Sequence, residues 1–338
     1  MRICQVIASY GEGGLEKHVR ELTQQMLAAG HEVTVLADKR FLTGLPSQAV
    51  QVPVHFNWSR HNPLLWLELL IQLRACRCDV IHAQANKAAS LIAVLRRWLR
   101  APTVGTLHNV KRDLRAFRKL DHVFTVSRQL AQPFPAHQVS VIYNGIDPPD
   151  FERLDLRTLY DLPVNVPVLC VAGRLVVAKG FDILLEAIDG LPVSLVIAGE
   201  GPEHARLQQR INSLPSQTRV RLLGHKSNVT SLLASADAVI ISSRREGFSY
   251  VFGEALFCDA KILSTDVPVA NEVLPPELIV PLENAVALRE RLLSLLGNIQ
   301  KWESLMQAPQ QFARAHMTRQ VMCAQTLEAY QTLLHSKV

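Results

Sequence analysis

Two glutamates, Glu246 and Glu254, lie on either side of a predicted helix start. The apolar run 238–241 before them predicts a buried parallel strand, which puts Glu246 in the loop at the carboxyl end of that strand. Such loops are where open α/β sheets bind ligands. A carboxylate accepts two hydrogen bonds from a vicinal diol, and the free N–H groups at a helix start bind phosphate. The stretch 243–256 could therefore hold a sugar, a diphosphate and a ribose together.

The same pair also has an ordinary explanation. Aspartate and glutamate are mostly surface residues, so an isolated pair of glutamates is more often solvated charge than a binding site. The motifs elsewhere in the chain have to decide between the two interpretations.

The elements around this stretch predict two domains of the α/β class. A chain of 338 residues is too long for one ordinary hydrophobic core. Strand patterns alternate with helix patterns in both halves, which is typical of doubly wound parallel sheets. Pro148 and Pro149 interrupt the alternation, so we predict a first Rossmann-like domain over residues 1–148 and a second over 165–308. Two long helices, roughly 284–298 and 310–335, are predicted to end the chain.

A glycine turn and a histidine mark the first predicted domain. Strand 2–8, the turn and a helix ending at Gly30 resemble a nucleotide-binding unit. The glycine spacing is not that of a dinucleotide fingerprint. Gly13 and Gly14 either form a plain turn or let the backbone approach a diphosphate. His108 follows the predicted strand 102–107, where a histidine is either structural or part of a binding site.

Charge is unevenly distributed along the chain. Residues 1–150 hold 18 Lys and Arg against 11 Asp and Glu, whereas residues 151–338 hold 18 against 19. A basic half is typical of proteins that bind nucleic acid, an anionic membrane surface or an anionic substrate. One segment is predicted either to lie on anionic lipid as a basic amphipathic helix or to be a solvated helix face. Its cations, which surround Leu114 and Phe117, are Lys111, Arg112, Arg115, Arg118 and Lys119.

Other classes of segment are not indicated. The first eight residues lead into a glycine turn rather than a cleavage site. The most apolar stretch, 64–73, is too short to span a membrane and contains Glu68. The six cysteines are scattered, which predicts free thiols, a reducing cytosol and no structural metal.

Six short motifs occur in an order that is typical of one enzyme family. They are Gly13-Gly14-Leu15-Glu16, Thr106-Leu107-His108-Asn109, residues 141–147, residues 173–180 with Arg174 and Lys179, residues 195–202, and residues 246–256. On these motifs the chain resembles retaining GT-B glycosyltransferases of the glycosyl transferases group 1 family, of the bacterial lipopolysaccharide or polysaccharide type. The resemblance implies two Rossmann-like doubly wound domains that face a central cleft. It also implies that the first domain binds the acceptor, the second binds a nucleotide sugar, and segment 309–338 packs back on the first.

The resemblance implies a role for each candidate residue. Arg174 and Lys179 would bind the donor diphosphate and stabilise its charge as it leaves, which makes them catalytic. Glu246 would hold hydroxyls of the transferred sugar, and Glu254 those of the ribose. His108 would contact the donor sugar or the reacting centre.

Further residues are implied around these groups. The additional donor-binding positions are Gly13, Gly14, Gly173, Gly247, Phe248 and Ser249. Glu16 and His18 are acceptor-side candidates. The family pattern is broken at 259–261, at 267–271 before Glu272, and at Gln84, where a second histidine is common. These departures leave the sugar and the acceptor open.

The resulting expectation is a metal-independent hexosyltransferase without a cofactor. Its donor would be a nucleotide-diphosphate sugar, UDP more often than GDP, and its acceptor a glycan or glycolipid. Its basic first domain predicts a cytoplasmic protein held peripherally on the inner face of the membrane. A nucleotide-sugar epimerase of the same architecture, a non-catalytic nucleotide-binding relative and a basic nucleic-acid-binding protein are the alternatives. The last lacks recognised motifs and runs of stacking aromatic residues.

Overall fold

A computed structural model describes residues 1–11 and 13–335. The described chain forms two compact units. The first comprises the described residues up to Gly145 together with those from Met317 onward, and the second comprises Ile146–His316. Each unit is built on one parallel sheet with helices. The predicted α/β class with two Rossmann-like sheets is confirmed.

The strands and helices follow one another in regular alternation. The strands are β1 (Arg2–Ile7), β2 (Glu32–Ala37), β3 (Val50–Pro53), β4 (Val80–Gln84), β5 (Thr103–Leu107), β6 (His122–Thr125), β7 (Val139–Val141), β8 (Val168–Ala172), β9 (Ser194–Ala198), β10 (Arg219–Leu222), β11 (Ala238–Ile241), β12 (Ile262–Thr265) and β13 (Ile279–Val280). The helices are α1 (Gly14–Ala28), α2 (Lys39–Leu42), α3 (Pro63–Ala75), α4 (Ala85–Leu95), α5 (Arg128–Ala131), α6 (Leu156–Tyr160), α7 (Phe181–Ala187), α8 (His204–Asn212), α9 (Val229–Ser235), α10 (Tyr250–Phe257), α11 (Ala270–Val273), α12 (Ala285–Leu296), α13 (Ile299–His316) and α14 (Arg319–His335).

The first unit contains a seven-stranded sheet in the order β3-β2-β1-β4-β5-β6-β7. Its strand pairs are parallel, and Ile7 at the end of β1 is in register with Gln84 at the end of β4. The order reverses beside β1, because β2 lies on one side of it and β4 on the other. In open α/β sheets, ligands bind at such a reversal, outside the carboxyl ends of the strands. The loops after β1 and β4 are therefore the expected binding edge of this unit.

The second unit repeats this plan with six parallel strands in the order β10-β9-β8-β11-β12-β13. All five residues of β8 are buried, as are the four of β11, which explains why both read as continuous apolar runs. Here the order reverses between β8 and β11. The loops after these two strands are the ones that carry Arg174, Lys179 and Glu246.

The prediction of a single helix over 310–335 at the end of the chain is wrong. Two helices, α13 and α14, occupy this region, and the division at Met317 and Thr318 assigns α13 to the second unit and α14 to the first. The Thr318 hydroxyl accepts a hydrogen bond from the Val321 N–H at 3.2 Å, as expected at a helix start. Tyr330 on α14 is completely buried within the first unit. Of the segment predicted to begin at 309, the residues before 317 thus belong to the second unit and the described residues from 317 onward belong to the first.

The basic segment 111–119 does not form the amphipathic helix that the sequence suggested. Only Phe117–Lys119 are helical, as one 3₁₀ turn. Phe117 is completely buried, and a Cβ atom on Gly105 of β5 would lie 3.1 Å from its ring. Because Phe117 packs into the core, it is not available to insert into lipid. The described residues include no helix that is both long and apolar enough to span a membrane.

Candidate functional site

The loop after β8 brings Lys179 back toward the end of its own strand. Gly173 has a φ of +142°, and a Cβ atom there would lie 3.2 Å from Lys179 Cε. Gly180 ends the 3₁₀ turn Val177–Lys179 with a φ of +63°. A Cβ atom on Gly180 would lie only 2.0 Å from the Ser242 carbonyl oxygen. A side chain would strain the backbone at both positions, and at Gly180 it would also block the approach of the loop after β11.

The loop after β11 supplies the partner of Lys179. Glu246 is 8% exposed, and its Oε1 accepts from Lys179 Nζ at 2.6 Å and from Ser243 Oγ at 2.7 Å. Lys179 and Glu246, which the sequence predicts to contact different parts of a ligand, form an ion pair with each other. Among the described residues, Glu246 Oε2 has no hydrogen-bond partner, so one carboxylate oxygen remains available to a ligand.

Arg174 lies on the same loop but behaves differently. Its side chain is exposed, and within the part of the chain that the structure describes it makes no hydrogen bond or ion pair. Because Lys179 and Glu246 neutralise each other, Arg174 leaves the three-residue group with one excess positive charge. An exposed cation beside an ion pair suits an anionic ligand.

Arg244, which is not among the residues predicted from the sequence, holds the loops after β8 and β11 together. Its guanidinium donates to both carboxylate oxygens of Asp182 at 2.7 and 3.0 Å and to the Val177 carbonyl at 2.9 Å. Its backbone N–H donates to the Ala178 carbonyl at 2.8 Å. Burial by itself raises the pKa of Asp182, but the bonds from Arg244 outweigh it and hold this pKa below its usual value. The turn that carries Lys179 is therefore fixed from both ends.

Helix α10 begins directly after the Glu246 loop. Gly247, Phe248 and Ser249 are buried, and Ser249 Oγ accepts from the Phe252 N–H at 3.4 Å as the N-cap. The backbone N–H groups near Phe248 and Ser249, which are predicted to bind the donor, thus lie at the start of a helix. Glu254 is partly buried on α10. Its assignment to a ribose stays a prediction.

The loop 267–271, where the family pattern is broken, has an unusual backbone. Val269 has a φ of +72° and is completely buried. A β-branched residue rarely adopts this conformation. The Val269 carbonyl accepts from the Glu272 and Val273 N–H groups at 3.1 Å each, so the following helical turn holds it.

In the first unit, Glu16 closes the glycine loop after β1. Its Oε2 accepts from the Gly13 N–H at 3.0 Å, and its Oε1 accepts from the Ser9 hydroxyl. Glu16 is only 4% exposed. Both carboxylate oxygens of this acceptor-side candidate are therefore engaged in shaping the Gly13–Gly14 helix start. Glu12 lies outside the described residues.

His18 and His108 meet at the same edge of the first sheet. Their ring centroids are 4.7 Å apart in an edge-to-face arrangement. Burial lowers the pKa of His18 to about 4, and burial together with His18 and His82 lowers the pKa of His108 well below its usual value. Both rings are therefore neutral at pH 7. Neutral imidazoles bind hydroxyl groups by hydrogen bonds rather than anions by charge.

Gln84 is the residue at this edge whose role the sequence left open. Its Oε1 lies 2.9 Å from His108 Nε2. Polar residues within otherwise apolar strands, Gln5 in β1 and His82 and Gln84 in β4, were the available signal, because a buried polar side chain needs a partner. In the described residues, no cluster of three or more His, Cys, Asp and Glu side chains has the arrangement of a metal site.

Comparison with known proteins matches both units. Residues 12–149 match glycosyltransferase family 4, and residues 155–312 match the glycosyl transferases group 1 family. A human phosphatidylinositol N-acetylglucosaminyltransferase subunit is 29% identical over 81% of this chain, which spans 63% of the length of that relative. The lipopolysaccharide core biosynthesis glycosyltransferase LpsE of Rhizobium meliloti is 27% identical over 75% of this chain and 76% of its own. The crystal structure of Anabaena HepE in complex with UDP is similar to this chain with a TM-score of 0.83 at 22% identity. The matched region covers 98% of this chain and 100% of the HepE chain.

Proposed function

Because this chain belongs to the group 1 glycosyltransferases and has their GT-B fold, we propose that it transfers a hexose from a nucleotide-diphosphate sugar to a lipid-linked or polysaccharide acceptor. The observation that carries the proposal is the Lys179–Glu246 pair beside the exposed Arg174. Cations for a diphosphate and a carboxylate for sugar hydroxyls lie at the strand-order reversal of one sheet, where ligands bind.

The second unit is proposed to bind the donor. Arg174 and Lys179 contact the diphosphate, and their positive charge stabilises it more as it departs than before the bond breaks. The diphosphate competes with Glu246 for Lys179, which frees carboxylate oxygens for hydroxyls of the sugar. Glu254 binds the ribose, and N–H groups at the start of α10 face the phosphates. UDP is proposed ahead of GDP, and the complex of Anabaena HepE with UDP supports that choice.

The first unit is proposed to bind the acceptor, with His108 in contact with the donor sugar or the reacting centre. The names of the human and Rhizobium relatives refer to phosphatidylinositol and to lipopolysaccharide, which supports a lipid-linked acceptor. The enzyme is proposed to act peripherally at the cytoplasmic face of a membrane. The exposed cations of segment 111–119 favour an anionic surface there, although Phe117 does not take part.

The transfer is proposed to retain the configuration of the sugar. In the second unit, Glu246 accepts from Ser243 and is proposed to accept from sugar hydroxyls, so it is not assigned as a nucleophile. A front-face substitution in which the departing phosphate accepts the acceptor proton needs no carboxylate nucleophile. The anomer of the product, measured by NMR, tests this, and an inverted product contradicts it.

A thermal-shift screen of UDP, GDP, ADP and their sugars tests the donor assignment. A ligand that binds only the folded protein stabilises it by about 2.7 kcal/mol at one hundred times its Kd. We expect uridine nucleotides to raise the melting temperature and the others not to. Transfer to an added glycolipid then separates the proposal from an epimerase, which converts the nucleotide sugar without an acceptor.

A further inference from the structure

Helix α3 carries apolar side chains on two opposite sides. Leu65, Leu69 and Leu73 are buried in the first unit. Leu64, Leu67 and Ile71 are 62%, 55% and 56% exposed, and their spacing aligns them in one stripe. A surface helix ordinarily has polar residues on its outer side. The outer stripe of α3 is therefore an apolar face that the first unit leaves uncovered.

Cations and a tryptophan adjoin this stripe. At its end, Arg74 Nη2 lies 3.4 Å from the Trp98 carbonyl oxygen, and the guanidinium of Arg97 lies 4.1 Å from the centre of the Trp98 ring. Trp98 is 40% exposed. At its start, the Arg60 carbonyl accepts from Trp66 Nε1 at 2.8 Å. Apolar side chains flanked by tryptophan and arginine are typical of surfaces that lie at the headgroup level of a bilayer.

The segments next to the outer stripe of α3 are strongly basic. Residues 57–77 and 86–100 contain seven Lys and Arg and a single acidic residue, Glu68. Glu68 lies 2.8 Å from His55 Nδ1, and its single carboxylate leaves these segments with a large excess of positive charge. A second copy of the chain would bring two positive surfaces together. Three aliphatic side chains also offer much less than the roughly 1,000 Å² that a specific protein interface needs.

We propose that an anionic lipid surface covers the outer face of α3, with Leu64, Leu67 and Ile71 in the acyl boundary and the neighbouring arginines at the headgroups. This assigns the apolar part of the membrane contact to α3, because Phe117 of segment 111–119 is buried. The inference rests on the proposed function in one respect, which is that a lipid-linked acceptor is presented at a membrane.

Flotation with liposomes tests the surface directly. The full chain is mixed with vesicles of phosphatidylcholine alone or with phosphatidylglycerol added. We expect binding to the anionic vesicles and at least a tenfold loss for the triple variant Leu64→Gln, Leu67→Gln, Ile71→Gln. The matched control is Val286→Gln with Leu293→Gln, which removes aliphatic side chains that are 65% and 46% exposed on α12. It should bind as the unsubstituted protein does.

The other results of this experiment distinguish failure of the membrane proposal from failure of the proposed function. Unchanged vesicle binding by the triple variant overturns the proposal, and so does a dimer in solution that the triple variant abolishes. Transfer to a short-chain, water-soluble acceptor should be equal in the triple variant and the unsubstituted protein. If neither protein transfers sugar while vesicle binding follows the expectation, the proposed function fails and the membrane surface stands.

A second, independent observation is a chain of hydrogen bonds in the first unit. His108 Nε2 lies 2.9 Å from Gln84 Oε1, and Gln84 Nε2 donates to Gln5 Oε1 at 2.9 Å. Gln5 Nε2 donates to Thr23 Oγ1 at 2.8 Å, and the Thr23 hydroxyl donates to the Val19 carbonyl at 2.7 Å. This series of hydrogen bonds therefore connects the Val19 carbonyl to the imidazole of His108.

The direction of each bond follows from the carbonyl at the end. A carbonyl only accepts, and two oxygens 2.7 Å apart need a proton between them. The single proton of Thr23 is therefore directed at Val19, so that Thr23 accepts from the amide nitrogen of Gln5. The Gln5 oxygen then accepts from Gln84, which turns the Gln84 oxygen toward His108. His108 thus carries its proton on Nε2, and Nδ1 has a lone pair.

We infer that Gln84 is a positioning residue that holds His108 in the Nε2–H tautomer, so that Nδ1 accepts a hydrogen bond from a substrate hydroxyl. The tautomer follows from the geometry of the first unit alone. The contact with a hydroxyl rests on the proposed function. A neutral donor group in the ligand, rather than an anion, is what this imidazole recognises.

Long-range ¹H–¹⁵N NMR of histidine-labelled protein measures the tautomer, and His108→Gln identifies the signal. We expect the Nε2–H form in the unsubstituted protein and a mixture of forms in Gln84→Leu. The control is Thr106→Val, which removes the hydroxyl 2.6 Å from His82 Nε2 but leaves the Gln84 contact intact. Its His108 signal should stay that of the Nε2–H form.

An Nδ1–H form in the unsubstituted protein overturns the inference, as does a single Nε2–H form in Gln84→Leu. We expect kcat/KM for transfer to fall about tenfold in Gln84→Leu and to recover in Gln84→Glu, which keeps an accepting oxygen. A changed tautomer with unchanged transfer would leave Gln84 as the positioning residue and reject the substrate contact of His108.

Discussion

The two strand-order reversals of this protein have the same topology and opposite chemistry. In the second unit, the reversal beside β8 carries the charged residues Arg174, Lys179 and Glu246, of which Arg174 is exposed. In the first unit, the reversal beside β1 carries His18, His108 and amide side chains that are neutral. One topology thus supports a site for charge and a site for hydroxyl groups, because the side chains at the carboxyl edge of each sheet, not the strand order, determine what binds.

The largest effect is expected at the charged edge from Arg174→Ala. The side chain of Arg174 makes no hydrogen bond or ion pair within the described chain, so its removal should leave the melting temperature unchanged. If it stabilises the departing diphosphate, transfer should fall roughly 10² to 10³-fold, the usual effect of removing one such group. Steady-state transfer assays measure this, and Arg219→Ala, another exposed arginine, is the control. Normal transfer in Arg174→Ala would remove the basis for the charged site.

Glu246→Gln tests whether the carboxylate belongs to the site or only neutralises Lys179. We expect transfer to fall roughly 10 to 100-fold, because hydrogen bonds from sugar hydroxyls to a charged acceptor are stronger than those to an amide. Donor binding measured by calorimetry with the nucleoside diphosphate alone should be equal or tighter, since Lys179 is then free. Full transfer activity in Glu246→Gln would contradict the assignment of Glu246.

Arg244→Ala tests the positioning of the charged edge. The change removes the bonds to Asp182 and to the Val177–Lys179 turn. Hydrogen bonds to charged groups contribute about 1.5–3 kcal/mol each at most, and we expect a total loss of about 1–3 kcal/mol in the free energy of unfolding. Denaturant titration measures it. Arg206→Ala, whose side chain is 64% exposed and contacts the same Asp182 at 3.8 Å, should cost much less.

The neutral edge should respond to pH. Burial lowers the pKa of His18 to about 4 and the pKa of His82 to about 3 in the folded state, whereas unfolded histidine has a pKa of about 6.5. The unfolded state therefore binds more protons below pH 6.5, and stability is present above that pH and falls as the pH drops toward 4. The limiting slope is about 1.4 kcal/mol per pH unit for each histidine.

Denaturant titrations between pH 7.5 and 5 measure this slope. His18→Gln should reduce it, whereas His61→Gln, which removes an exposed histidine, should not. Equal slopes in all three proteins would show that His18 titrates alike in the folded and unfolded states, and the description of the first edge as neutral would then be wrong.

The α/β class, the alternation of elements and the identity of the candidate residues follow from the amino-acid sequence alone. Continuous apolar runs such as those of β8 and β11 predict buried parallel strands because both faces of a parallel sheet are covered. The glycines that flank Lys179 predict a tight loop for a similarly local reason, since only glycine adopts these backbone conformations without strain. Local sequence is sufficient where local sterics or periodicity decide the outcome.

The partners of these residues depend instead on the tertiary structure. Lys179 and Glu246 are far apart in the sequence, and their contact depends on β8 and β11 being neighbours in the sheet. Packing between distant segments likewise determines the burial of Phe117, the exposure of the outer stripe of α3 and the series of hydrogen bonds from Val19 to His108. A hydrophobic pattern shows that a side chain is apolar, but which of two apolar faces is covered depends on the neighbours that the fold supplies.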